Sequence, residues 1–248
     1  MKTQLFIAIS GLILSASAFA QESKPADILA QAQDKIITAF EEGRDAMSAD
    51  ALLQVEQQLQ AQPANMISTY WLSFCRLYAG ILYMSLGDSD QAEQYINQSV
   101  SLMEKLEKKN AESYALLSYA QTMSIQFAKG LHAASVSKKA TTAANKALEL
   151  DPDNVRAHYA AGLLDYYTPA MYGGQRKCEE HFLKAVRKQP ESVANPYLPT
   201  WGQEDAYVLL ITYYVNNGKK DKAKELYRQA VERFPEEKDI RQMSKVIE

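Results

Sequence analysis

The residues whose types most suggest chemistry lie together in Tyr166-Tyr167-Thr168-Pro169-Ala170-Met171-Tyr172-Gly173-Gly174-Gln175-Arg176-Lys177-Cys178. Aromatics, a double glycine, two cations and a thiol are the parts of a phosphate cradle or a reactive cysteine. A phosphate loop needs a strand, then a glycine-rich run closing on Gly-Lys-Ser/Thr at a helix start. Here Gly173-Gly174 leads into Gln175, with no Gly-Lys pair and no hydroxyl. His132, His158 and His181 fall in separate segments without His-x-x-x-His spacing, whereas zinc needs three or four converging ligands. There is no Gly-x-Ser-x-Gly elbow, and neither Cys75 nor Cys178 has a base at a recognisable spacing. Carboxylates are scattered among lysines, as in "EKLEKKNAE" (104–112), the pattern of a solvated helix face. The sequence therefore predicts no catalytic set, metal or cofactor, and points to binding.

The elements around these residues begin with "MKTQLFIAISGLILSASAFA": one lysine, an apolar core and a small-residue close ahead of Gln21. These are the three parts of a cleavable signal peptide over 1–20. The apolar run is shorter than the roughly 20 residues of a membrane span, and no cysteine follows it to carry a lipid. The mature chain is expected to be periplasmic or secreted and not membrane-spanning. The full sequence has 27 Lys+Arg against 30 Asp+Glu, a formal charge of −3 that becomes −4 without Lys2. That balance gives no reason to expect nucleic acid, which needs a clustered basic face. Two cysteines do not make a disulfide framework.

Between sparse breakers such as Pro63, Gly87, Gly130, Pro152, Pro190 and Gly218, the chain is rich in Ala, Gln, Glu, Lys and Leu. It reads as short helices in series. Tyr83, Gly87, Ala92, Ile96 and Ser99 recur at identical offsets as Tyr214, Gly218, Ala223, Tyr227 and Ala230. The second half of that pattern returns as Ala140, Ala144 and Ala147, and again as Cys178, Phe182 and Ala185. Small residues let paired helices approach, and an apolar residue four positions on shares the face. The mid-first-helix residue and the small residue opening the second helix are 12 apart in Gly80/Ala92, Ala128/Ala140 and Ile211/Ala223, but 16 apart in Gly162/Cys178. The opening stretch thus carries four extra residues, a loop on one face of the array.

These residues resemble the tetratricopeptide repeat, a helix-turn-helix unit of about 34 residues. The resemblance implies an all-α, right-handed α-solenoid of antiparallel helix pairs, about eleven helices in all. Repeats are expected near 73–106, 121–154, 155–190 and 204–237 within 65–237, after an N-terminal helical pair or degenerate repeat in 21–64. A capping helix is expected at 238–248.

The resemblance also implies a non-enzymatic protein that binds a protein or peptide partner of the cell envelope. Its concave groove would be lined by Phe74, Leu77, Ile81, Met84, Lys129, Arg156, Tyr159, Leu163, Tyr166 and Asn216. Met171 and Tyr172 of the inserted loop are the other candidate contacts. The segment "NPYLPTWGQEDAY" (195–207) is expected either to bridge a change in stacking or to rim the groove. The order of Tyr, Gly-Gly, repeat helix, Pro and Trp-Gly is similar to secreted bacterial tetratricopeptide proteins, some attached to solute transporters. The alternative is therefore a small-molecule carrier or an accessory component of a solute transporter, and a small apolar ligand is a further candidate partner.

Overall fold

A computed structural model describes residues 27–188 and 195–247. The expected signal peptide 1–20 and the helix stop at Pro190 lie outside the described residues. Among the described residues, ten helices of at least ten residues run in antiparallel pairs: α1 (Ala32–Ala46) with α2 (Asp50–Gln60), α3 (Met66–Leu86) with α4 (Ser89–Lys105), α5 (Ala111–Ser124) with α6 (Gly130–Leu150), α7 (Val155–Tyr167) with α8 (Cys178–Arg187), and α9 (Gln203–Asn216) with α10 (Lys220–Arg233). Two short helices follow, α11 (Lys238–Gln242) and α12 (Ser244–Ile247), broken at Met243. Ile240, Met243 and Ile247 are buried there, and both helices pack on α9 and α10. No strand occurs among the described residues, and none of their helices is long and apolar enough to cross a membrane.

The caps explain where the helices start and stop. Asn65 accepts from Ile67 N and Ser68 N while Ser68 Oγ accepts from Asn65 N, a reciprocal cap that opens α3. Gly87, at φ 80°, closes α3 in the left-handed conformation that side chains resist, and Asp88 caps α4 through Gln91 N. Asn110 and Asn154 open α5 and α7 in the same manner.

The small-residue pattern is the packing pattern. Ala92, Ile96 and Ser99 are fully buried, as are Ala140, Ala147, Cys178, Phe182, Ala185, Ala223 and Ala230. A Cβ placed on Gly80 would come 2.5 Å from Ile96, and one on Gly162 would come 2.6 Å from Phe182, so both glycines mark backbone crossings. The third pair departs from the expected register. Ala128 lies beyond the end of α5 and its short 3-10 turn (Ile125–Phe127), and Ala140 is met instead by Ser118, whose hydroxyl donates to Ala140 O at 3.0 Å. The helix α6 begins ten residues before that crossing, so an alanine in a connection imitated one in a helix.

The first helices α1, α3, α5, α7 and α9 pack successively on one another, and the second helices lie outside them. This inner layer carries the aromatic core.

Candidate functional site

Three features sit along the inner layer: its concave surface, the loop inserted between α7 and α8, and a cleft beside that loop.

The concave surface is covered by the chain itself. Residues 195–202 cross from the α8 end of the array back to α1. Trp201 is 2% exposed, stacked on Phe74 (centroids 5.3 Å apart) and packed against Tyr119 (5.8 Å) and Tyr159 (5.9 Å). Its indole Nε1–H donates to Tyr70 OH at 2.9 Å, and Trp71 Nε1–H donates to Tyr197 O at 3.1 Å. Gln33 clamps the far end: its Oε1 accepts from Thr200 N (2.8 Å) and Trp201 N (3.1 Å), while its Nε2 donates to Thr200 Oγ1 (2.8 Å). The phenol of Tyr197 donates to the Asp27 carboxylate, which holds the Asp27 pKa down. Gly202, at φ 97°, turns the strap into α9 against Tyr159, and Gln203 Nε2 ties it to Ala185 O and Lys188 O.

The expected groove residues are therefore largely interior. Phe74, Leu77, Tyr159 and Leu163 are buried, and Ile81 and Met84 are packed on the core. Arg156 is buried against Glu112, with Nη2 and Nε at 2.7 and 2.8 Å from its carboxylate, so its charge is matched. Lys129 is exposed, but it precedes α6 and does not stand on a first helix. Asp205, half-buried, follows Glu204 at the start of α9, and desolvation together with that neighbouring carboxylate pushes its pKa up to about 7.

The inserted loop is built rather than loose. Asp165 O accepts from Gln175 N at 2.8 Å, and Asp165 Oδ2 accepts from Lys177 N (2.8 Å) and Cys178 N (2.7 Å), where its charge also faces the N-terminus of α8. A 3-10 turn over Ala170–Tyr172 is closed by Tyr172 N to Pro169 O at 2.8 Å. Any Cβ on Gly174 would overlap Thr168 O. This frame holds Met171 82% and Tyr172 75% exposed.

Beside it, the last turns of α7 and α9 enclose a cleft of about 350 Å³ lined by Tyr166, Tyr167, Pro169, Gln175, Tyr213, Asn216 and Asn217. Of the expected groove residues, the structure joins Tyr166 and Asn216 here, with Nδ2 3.5 Å from the phenol oxygen.

The thiols are buried and free, and burial raises both pKa values, that of Cys178 to about 11. Neither is activated, as a nucleophilic thiolate requires. His158 and His181, unconnected by sequence spacing, meet with Nδ1 atoms 3.1 Å apart. His158 Nε2 lies 2.9 Å from Pro152 O and donates to it. His158 Nδ1 is then an acceptor for His181 Nδ1–H, the arrangement two neutral rings require. Burial and the neighbouring His158 bring the His181 pKa down to about 4. No group of three or more His, Cys, Asp or Glu suited to a metal occurs among the described residues.

These features define a class: an array of antiparallel helix pairs whose small-residue crossings form an α-solenoid. The tetratricopeptide-repeat model matches residues 79–105 and 205–237 of the chain. A thermophilic TPR protein of Thermus thermophilus is similar in structure, with a TM-score of 0.53 at 19% identity, over 87% of this chain and 98% of that one. YrrB, a TPR protein with an unusual peptide-binding site, matches with a TM-score of 0.39 at 14% identity, over 85% and 97%. The first likeness is one of fold. No curated protein matches the chain in sequence.

Proposed function

We propose that this is a non-catalytic binding protein of the periplasm or the secreted space, and that it engages a protein or peptide partner through the loop inserted between α7 and α8. Helical solenoids serve as extended binding surfaces, and the signal-like N-terminus supports export. The observation that carries the reading is the exposure of Met171 and Tyr172 on a hydrogen-bonded loop, while the concave aromatics are covered by residues 195–202. Large apolar side chains held in solvent by a rigid frame mark interaction sites.

The test is site-specific photo-crosslinking in the native cells, with the probe at 171 or 172 and, as control, at the exposed Glu93 of α4. A discrete adduct is expected from the loop positions only, and Tyr172→Ala should remove the adduct formed from 171. Equal labelling from all three positions, or retention of the uncleaved chain in the cytoplasm, would overturn the proposal.

A further inference from the structure

The cleft at the ends of α7 and α9 has a chemistry of its own. No Asp, Glu, Lys, Arg or His lines it. Lys219, which lies 5.1 Å from the centroid of the Tyr213 ring, has its ammonium bound by Glu179 at 2.7 Å. A charged ligand would give up hydration here and meet no counter-charge, so the occupant is neutral.

The hydrogen-bonding groups point further. Asn217 Nδ2 donates to Tyr213 O at 2.8 Å, Asn216 Nδ2 to the Tyr166 phenol at 3.5 Å, and Gln175 Nε2 to Tyr166 O at 3.5 Å. All three amides therefore turn an N–H toward the protein, and among the described residues their carbonyl oxygens accept no hydrogen bond. Each amide thus keeps its oxygen and a second N–H for a ligand, so the surface offers acceptors and donors together, with the phenol groups serving either way. The walls are aromatic: Tyr166 and Tyr167 stand nearly perpendicular, at 86° with centroids 5.1 Å apart. A proline-rich peptide would stack on such rings but presents carbonyl acceptors and few N–H donors. A sugar ring brings both an apolar C–H face and several O–H donors. At about 350 Å³ the cleft is near the small end of ligand pockets, which span roughly 300–1,000 Å³.

We propose that this cleft is a binding subsite for a neutral saccharide. It is distinct from the Met171–Tyr172 contact and does not depend on it.

The test titrates maltotriose, cellotriose and triacetylchitotriose, with hexaproline as the competing chemistry, into the purified mature chain, followed by ligand-observed NMR and calorimetry. At least one trisaccharide should saturate with a Kd on the order of 1 mM. The exposed Tyr167→Ala should weaken that binding at least tenfold, Asn216→Ala should weaken it as well, and Met171→Ala should leave it unchanged. Circular dichroism confirms that each variant folds. The proposal fails if no trisaccharide saturates by about 20 mM, if binding is indifferent to both Tyr167→Ala and Asn216→Ala, or if hexaproline binds in place of the sugars.

Discussion

Replacing Trp201 by alanine tests the covered concave face directly. The side chain is 2% exposed, touches Phe74, Tyr119 and Tyr159, and supplies the hydrogen bond to Tyr70 OH. Truncating a buried Trp costs about 3–5 kcal/mol, since burial is lost and a cavity is left. Tyr70, itself 5% exposed, loses its donor in the same step, which places the expected loss at about 4 kcal/mol. For a chain of this size that lowers Tm by roughly 10 °C. Urea unfolding followed by circular dichroism measures it, and the midpoint should fall with little change in slope. An independent readout uses the chain's two tryptophans. In a Trp71→Phe background Trp201 is the sole indole, and acrylamide should not quench it until the protein unfolds. A loss below about 1 kcal/mol, or quenching of Trp201 in native buffer, would refute the strap as an integral part of the inner face and return Phe74, Leu77 and Tyr159 to the partner surface.

Other outcomes follow from the same geometry. The carboxyl of Asp205, raised to about 7, binds its proton more readily folded than unfolded, so stability is lost as pH rises through 7; Asp205→Asn should stabilise the protein at pH 8 and do so far less near pH 4, read by thermal melts across pH. His158 and His181 shift the other way, His181 to about 4: the unfolded chain takes up their protons first, so stability present above pH 6.5 declines toward pH 4, and His181→Phe should flatten that limb. Gly162→Ala drives a methyl into Phe182 and should cost roughly 1–3 kcal/mol by urea titration. Gly174→Ala, which overlaps Thr168 O, should leave the core melt nearly intact but raise amide exchange through 168–177.

What the sequence made legible was the local contact. A residue that must be small because a helix crosses it shows itself by type and spacing, so Ala92, Cys178 and Ala223 could be aligned before any fold was known, and the long Gly162–Cys178 interval marked the inserted loop. The same rule misplaced the third pair, because Ala128 has the right type at the right offset yet lies past the end of α5. The cleft was half visible: Tyr166 and Asn216 were singled out, but Tyr213, Asn217 and Gln175 join them only through the packing of α7 against α9. The histidine pair was invisible for the same reason.

Residues 195–202 set the limit. A stripe of aromatics on a first helix has one pattern whether it lines an open groove or a core, and the two differ only in whether something covers it. The cover here comes from far along the chain: Gln33 binds Thr200 167 positions away, and Trp71 binds Tyr197 126 away. Ordinary solenoid repeats contact only their neighbours, and their stability is a sum of adjacent terms. The strap ties α1 to the chain between α8 and α9, and the Arg44–Asp239 and Lys238–Glu41 pairs at 3.2 Å link α1 to α11. Exposed pairs of this kind contribute little by themselves, whereas the buried indole and the Gln33 clamp carry the closure. The array is thereby turned from a chain of neighbours into a body with one interior, which is why its inner aromatics serve the core and its candidate contacts have moved to the loop edge.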